Sequence, residues 1–171
     1  MKKVCENWVD HLPASSQAAL FEEFKTRATA VAAEVITVTS GMEAVEAVKK
    51  LAASVNAKKI VAVNCPLQAA VGLHDELAKL DLALYTTKED IAAHAETADM
   101  GISGVEFGVA ETGSVCQDAY AVEGRLVSTL TPIHVVFLDS SKIVPAVKDA
   151  FEIFSAVFQR GYLSFITGPS R

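Results

Sequence analysis

The spacing of apolar and polar residues predicts alternating helices and strands over the first hundred residues. Apolar side chains recur every three or four positions from about Ser15 to Ala33, which predicts a first helix. A second helix is predicted from Ser40-Gly41-Met42-Glu43, which has the serine and glutamate of a capping box. Short apolar or β-branched runs predict three strands, at 35–38, 59–63 and 82–85. This alternation is typical of a three-layer α/β/α fold, with a mainly parallel sheet covered on both faces.

The pattern changes after residue 100, where short strands and turns replace long helices. Val115–Gln117 and Leu126–Thr129 flank a turn that contains Gly124, which predicts a small β-hairpin. The apolar run Ile133–Leu138 predicts a core strand, and a last strand is predicted at Leu163–Ile166. The helix after Pro145 is expected to bury three aromatic side chains: Phe151, Phe154 and Phe158. We therefore predict an N-terminal helical segment, 1–34, followed by one α/β domain, 35–171.

Charge and composition narrow the class of protein. The 171 residues suit a single domain, and the net charge of -6 argues against non-specific binding of nucleic acid or an anionic membrane. No apolar stretch follows Lys2 and Lys3, so no signal peptide is predicted and a cytoplasmic location is expected. The three cysteines are far apart and form no Cys-x-x-Cys motif, so we expect free thiols and no metal or other cofactor in this chain: Cys5, Cys65 and Cys116.

Glycines and carboxylates gather in one stretch after residue 100. The glycines there do not have the Gly-x-Gly-x-x-Gly spacing, and no Gly-Lys-Ser/Thr follows, so neither dinucleotide fingerprint nor P-loop is present. Two interpretations stay open: a ligand-binding turn that contains a carboxylate, or a set of strand bends. The residues concerned are Gly101, Gly104, Glu106, Gly108, Glu111 and Gly113.

Glu111 is the sharpest catalytic candidate. It lies among small residues at a strand end and is followed by Thr112-Gly113-Ser114, so burial could make it a nucleophile or a base; the alternative is a solvated surface glutamate. At the other end of the chain, Gly168-Pro169-Ser170-Arg171 offers backbone and hydroxyl donors and a guanidinium that can clamp a carboxylate or phosphate; the alternative is a frayed terminus. His134 lies in an apolar strand, where a core or strand-end histidine is favoured over a catalytic one.

Three ordered blocks resemble the LUD domain family of lactate-utilisation proteins. The segment Gly104–Ser114 is similar to the central motif of that family. Arg125-Leu126 followed by Leu130–His134 is similar to the next block, and Phe165–Arg171 to the closing motif. Glu106 departs from the family, which usually has an aspartate there, and the family pattern continues beyond Arg171 into a further strand.

The resemblance, which is closest to the protein C branch of the family, implies both a fold and a function. The fold would be that of the superfamily of CoA transferases, ribose-phosphate isomerase and glucosamine-phosphate deaminase. The function would be that of one subunit in a three-protein system that oxidises L-lactate to pyruvate, with iron–sulfur clusters on partner subunits. CoA transferases of this fold use a glutamate followed by a small residue and glycine as nucleophile, and Glu111-Thr112-Gly113 has that form.

Three hypotheses follow from the resemblance and the residues. In the first, the protein binds a small anionic metabolite or acyl-CoA-like ligand, with Glu111 as acid, base or nucleophile and Thr112, Gly113 and Ser114 as donors to an oxyanion. The other residues expected at the ligand are Gly104, Glu106, His134, Gly168, Ser170 and Arg171. In the second, the chain is a non-catalytic assembly subunit for iron–sulfur partners. The third is a nucleotide-dependent enzyme resembling formyltetrahydrofolate cyclo-ligase, which the lack of a basic phosphate loop disfavours. The oligomeric state is open, and a homodimer is one option.

Overall fold

A computed structural model of the chain describes residues 17–157 and 162–169. The described residues form two compact units. Unit 1 comprises 17–35, 105–119, 138–157 and 162–169, and unit 2 comprises 36–104 and 120–137. The predicted domain boundary at residue 34 stays a prediction. No helix in the described ranges combines the length and the apolar character that crossing a membrane requires.

The order of elements alternates helix and strand through the first half of the chain. The helices are α1 (Gln17–Ala30), α2 (Gly41–Ser54), α3 (Pro66–Ala70), α4 (Leu73–Leu77), α5 (Lys88–His94), α6 (Val122–Leu130) and α7 (Val147–Val157). The strands are β1 (Lys59–Ala62), β2 (Ala83–Tyr85), β3 (Met100–Gly104), β4 (Phe107–Val109), β5 (Ser114–Asp118), β6 (His134–Phe137), β7 (Ile143–Val144) and β8 (Leu163–Ile166).

Unit 2 is built on a parallel four-stranded sheet with the order β2-β1-β3-β6. One face of the sheet packs on α2 and α4, around Val48, Ile60 and Ile102. The other face packs on α5 and α6, around Val61 and Val127. The predicted α/β class is therefore confirmed, with helices on both faces of a parallel sheet within this unit. Parallel strands need both faces covered, which explains their continuous apolar runs.

The start of α2 follows the predicted capping pattern. The hydroxyl of Ser40 accepts a hydrogen bond of 3.2 Å from the backbone N–H of Glu43. The Glu43 carboxylate accepts from the backbone N–H of Thr39 at 2.7 Å, one residue before the position that a capping box uses. Together these bonds satisfy backbone donors at the first turn and fix where the helix begins.

The strand predicted at 35–38 does not form. Ile36 and Val38 are exposed, and no strand of the described residues pairs with them. β-branched residues favour strands mainly through packing on neighbouring strands, and this segment has no such neighbour among the described residues. Composition alone was therefore a poor guide at this position.

Unit 1 contains a mixed sheet with the order β7-β4-β5-β8. β4 and β5 form an antiparallel hairpin, β7 is parallel to β4, and β8 is antiparallel to β5. The predicted pairing of Val115–Gln117 with Leu126–Thr129 is wrong, since β5 pairs with β4 and residues 126–129 lie in α6. The apolar side chains of α6 recur three or four residues apart, and Gly124 is accommodated inside the helix rather than in a turn.

The aromatic residues of α7 divide between the core of unit 1 and its surface. Phe154 packs against the buried core and its ring lies 5.8 Å from that of Phe107, as predicted. Phe151 is 60% exposed, so the prediction that it is a core residue is wrong. On a helix of 3.6 residues per turn, Phe151 is about 100° from the centre of the face formed by Ala150, Ile153 and Phe154. Phe158 lies outside the described residues.

Candidate functional site

The Glu111–Ser114 turn connects the two strands of the unit 1 hairpin. The N–H of Glu111 donates to the carbonyl of Pro145 at 2.9 Å, and the N–H of Gly113 donates to the carbonyl of Val109 at 2.9 Å. These backbone bonds fix the turn beside the segment that leads into α7. The sequence places a carboxylate, two hydroxyls and a glycine on this rigid connection.

The carboxylate of Glu111 reaches the N-terminus of α7. Its Oε2 accepts a hydrogen bond of 3.0 Å from the backbone N–H of Val147, the first residue of the helix. A carboxylate at a helix N-terminus is stabilised by the unpaired N–H groups and by the helix dipole. The side chain is exposed, so the burial that would tune it as a nucleophile or a base is not present. Oε1 has no hydrogen-bond partner among the described residues.

The side chains after Glu111 are more enclosed. The hydroxyl oxygen of Thr112 is buried without a hydrogen-bond partner in the part of the chain that the structure describes. The Ser114 hydroxyl lies 2.5 Å from that of Thr167, which follows β8. A buried hydroxyl without a partner is costly, so Thr112 is the polar group of this turn that gains most from a ligand.

Two glycines let the backbone of α1 and of the residue after it approach the site closely. Gly113 has φ +66°, and a Cβ there would overlap the backbone nitrogen of Ala28. Gly168 has φ +61°, and a Cβ there would overlap the carbonyl oxygen of Val31. Both positions need glycine for its left-handed conformation and for its lack of a side chain. Ser170 and Arg171, which the sequence also predicts at the ligand, lie outside the described residues.

Glu106 lies at the start of the hairpin, half-buried, and its N–H donates to the carbonyl of Cys116 at 2.8 Å. Cys116 is fully buried, and this burial raises the pKa of its thiol far above the ordinary value. The carboxylates of Glu106 and Asp118 raise that pKa further. Since the thiolate is the nucleophile, Cys116 is a structural residue of the core.

We expect Cys116 to resist alkylation in the native protein. Iodoacetamide at pH 8 should leave it unmodified over a period in which free cysteine is consumed, because the thiolate is disfavoured and the sulfur is inaccessible. Peptide mass spectrometry after timed quenching measures this, with the urea-unfolded protein as the control. Modification of Cys116 at the rate of the unfolded chain would contradict the assignment.

His134 and Gly104 lie in unit 2. The imidazole Nε2 of His134 is 2.8 Å from the hydroxyl of Ser103, which is 1% exposed. Burial lowers the pKa of His134 to about 4, so the ring is neutral at pH 7. Gly104 ends β3, and a Cβ there would lie 2.6 Å from the Cβ of Cys65. His134 is therefore a half-buried, hydrogen-bonded histidine, as the sequence favoured.

The sequence-predicted residues thus fall into two sets, which the structure describes separately. Glu106, Glu111, Thr112, Gly113, Ser114 and Gly168 belong to unit 1, and Gly104 and His134 belong to unit 2. Thr167 and Ser103, the hydroxyl partners of Ser114 and His134, were not predicted from the sequence. A polar residue inside or directly after an apolar strand run was the available signal for both. Among the described residues, no three histidine, cysteine or acidic side chains gather to form a metal site.

The match to a known family decides where the chain belongs. The model of the LUD domain matches residues 21–171, which is most of the chain. The chain belongs to the LUD domain family. The blocks that led to this family from the sequence, 104–114, 125–134 and 165–171, all lie inside the matched range.

Relatives of this LUD domain include two kinds of lactate utilization protein. Lactate utilization protein C of Anoxybacillus flavithermus is 27% identical over 157 residues, which cover 91% of this chain and 71% of the relative. Lactate utilization protein B of Bacillus subtilis is 35% identical over 107 residues, which cover 53% of this chain and 22% of the relative. The chain thus matches about a fifth of the length of that relative.

A solved structure supports the fold of this LUD domain. The crystal structure of a DUF162 family protein from Deinococcus radiodurans superposes with a TM-score of 0.67, and the match covers 90% of each chain. The identity is 20%, so the likeness concerns the fold alone. The fold of this chain is thus shared with an experimental structure of similar architecture.

Proposed function

We propose that this LUD domain is a subunit of a system that oxidises L-lactate to pyruvate, and that it binds a small carboxylate or an acyl-CoA-like ligand at the Glu111–Ser114 turn. The observation that carries the proposal is the turn itself. It contains a carboxylate oxygen of Glu111 and a buried hydroxyl of Thr112, neither of which has a hydrogen-bond partner among the described residues. The relatives named lactate utilization protein B and C supply the substrate class.

We infer distinct roles for the groups of the turn. The Thr112 hydroxyl would donate to a ligand oxygen, because this bond removes the cost of a buried unpaired oxygen. Oε1 of Glu111 would accept from the hydroxyl of a 2-hydroxy acid, or attack the carbonyl of an acyl thioester, which forms an acyl-glutamyl anhydride as the C–S bond breaks and the thiolate leaves. The bond from Val147 holds Oε2 and orients the carboxylate for either role. A carboxylate ligand 4 Å from Glu111 would be repelled by roughly 1 kcal/mol in water and about 4 kcal/mol at a partly buried site, so a cation is also required.

Thermal denaturation with candidate ligands tests this function. L-lactate, pyruvate and acetyl-CoA are added to the wild-type protein, to Glu111→Gln and to Glu23→Gln, which removes an exposed carboxylate from α1. A ligand at a hundred times its Kd adds about 2.7 kcal/mol, which raises the Tm by roughly 5–10 °C for a chain of this size. Glutamine keeps an oxygen that accepts from Val147, so the fold of Glu111→Gln should persist while the ligand-induced shift falls.

The outcomes separate the roles clearly. We expect at least one of the three ligands to stabilise the wild-type protein and the Glu23→Gln control equally, and Glu111→Gln by less than half as much. Equal stabilisation of all three proteins would remove Glu111 from the ligand site. Stabilisation of none of them by any of the three ligands would remove the proposed function.

A second candidate function is that of a non-catalytic assembly subunit for iron–sulfur partners. An exposed aromatic surface favours it: Phe151 and Tyr162 are 60% and 57% exposed, and the ring of Phe151 lies 6.2 Å from that of Phe165. Phe151→Ser is expected to weaken association with a purified lactate utilization protein B in sedimentation velocity, while Val122→Ser, at an exposed apolar position of unit 2, leaves it unchanged. No association of the wild-type protein would eliminate this candidate.

A further inference from the structure

We propose that Arg27 supplies the positive charge that binds the carboxylate of the ligand at the Glu111–Ser114 turn. The inference rests on the proposed function and names a residue for which neither the sequence motifs nor the family blocks give a role. It answers a requirement of the site, because the turn presents hydroxyls and a carboxylate but no cation.

The last turn of α1 brings Arg27 to the site. A Cβ at Gly113 would overlap the nitrogen of Ala28 and would lie 2.6 Å from the carbonyl carbon of Arg27. The backbone of Arg27 is therefore in direct contact with the turn, and Gly113 is what permits this approach. The Arg27 side chain therefore begins beside the turn.

The surroundings of Arg27 leave its guanidinium available. The side chain is exposed and makes no ion pair or hydrogen bond within the described ranges. At 3.6 residues per turn, Arg27 is about 60° from the centre of the buried face of α1, formed by Leu20, Phe24 and Ala28, whereas Lys25 is about 100° away. Arg27 lies on the last turn of α1, which touches Gly113, and its side chain is exposed whereas that of Lys25 is half-buried.

The other positively charged residues that the structure describes in unit 1 are less suitably placed to bind the carboxylate of the ligand. They are Lys25, Lys142 and Lys148. Lys142 precedes β7, where its carbonyl accepts from Gly108, and Lys148 follows Val147 on the exposed side of α7. Arginine also has the planar fork that binds a carboxylate through two parallel hydrogen bonds, which an ammonium group cannot reproduce. The ligand class is accordingly a small 2-hydroxy or 2-oxo carboxylate, with its carboxylate on Arg27 and its second oxygen at Thr112 or Glu111.

The test is the affinity for L-lactate, measured by NMR titration, for the wild-type protein, Arg27→Gln, Arg27→Lys, Lys25→Gln and Lys148→Gln. Lys25→Gln is the matched control, since it removes the same charge from the same helix. We expect Arg27→Gln to weaken binding at least tenfold and Arg27→Lys to weaken it less, with Lys25→Gln within twofold of the wild-type protein. The Tm of each variant should stay within a few degrees of the wild-type value. If Arg27 acted only on the helix dipole, its substitution would instead change the stability and leave the affinity for L-lactate unchanged.

The results distinguish this inference from the function on which it rests. If the wild-type protein binds none of L-lactate, pyruvate and acetyl-CoA, the proposed function and this assignment both fall. If the wild-type protein binds L-lactate and Arg27→Gln binds it equally well, only the assignment of Arg27 falls. A loss of affinity in Lys148→Gln with none in Arg27→Gln would likewise overturn it.

Discussion

Replacing Gly113 by alanine should destabilise unit 1 by about 3 kcal/mol. The substitution combines a left-handed backbone, which costs roughly 1–2 kcal/mol for a residue with a Cβ, with overpacking, which typically costs about 1–3 kcal/mol. The atom that the new Cβ would meet is the backbone nitrogen of Ala28, so no side chain can rotate to relieve the contact. Urea denaturation followed by circular dichroism measures the change.

Two other glycines of the chain separate the cost of the left-handed backbone from the cost of overpacking. Gly72 has φ +63° but nothing within 4 Å of the position that a Cβ would take, so Gly72→Ala should show only the conformational cost, about 1 kcal/mol. Gly124 lies within α6, also with open space around it, and Gly124→Ala should stabilise the protein by roughly 0.5–1 kcal/mol. If Gly113→Ala costs no more than Gly72→Ala, the close contact between the turn and α1 is refuted.

The second large effect concerns pH and His134. Its pKa is about 4 in the folded protein and near the ordinary 6.5 in the unfolded chain, because burial disfavours the charged ring. The unfolded state therefore binds a proton at higher pH than the folded state does. The contribution to stability is fully present above pH 6.5 and is lost as the pH falls toward 4, with a total of about 3 kcal/mol.

The difference between the wild-type protein and His134→Gln isolates this effect. Between pH 7 and pH 4, the free energy of unfolding should fall by about 3 kcal/mol more in the wild-type protein than in the variant. Carboxylates with lowered pKa values, such as Asp99 and Asp139, also stabilise the folded protein. Their contribution is lost at still lower pH, and equally in the wild-type protein and the variant. Parallel profiles for His134→Gln and the wild-type protein would show that His134 is not held neutral by the fold.

Much of unit 2 was predictable because its signals are local. Continuous apolar runs located β1, β2 and β6, and the serine at the start of α2 forms the predicted bond to Glu43. The same local reading failed at residues 35–38 and 126–129. Residues 35–38 have strand propensity but pair with no strand in the described part of the chain. At 126–129, Gly124 was interpreted as part of a turn, although the apolar spacing around it is helical.

The candidate site was only partly predictable, for a different reason. The position of the turn came from the ordered motif around Glu111, which the family match covers. The bond from Val147 to Glu111, the proximity of Thr167 to Ser114 and the contact of Arg27 with Gly113 each join residues far apart in the chain. Such pairs depend on how strands and helices pack, and no local pattern specifies them. The exposure of Glu111 likewise follows from its place at the end of a hairpin.

The central claim is that a small carboxylate binds at the Glu111–Ser114 turn, and NMR mapping tests it most directly. Uniformly ¹⁵N-labelled protein is titrated with L-lactate, and the shifts of the backbone amides are followed. We predict saturable changes concentrated at Thr112, Gly113, Ser114 and Thr167, and their loss in Glu111→Gln. Saturable changes confined to other parts of the chain, or none at all at lactate concentrations up to tens of millimolar, far above the roughly 1 μM–1 mM typical of enzyme substrates, would contradict it.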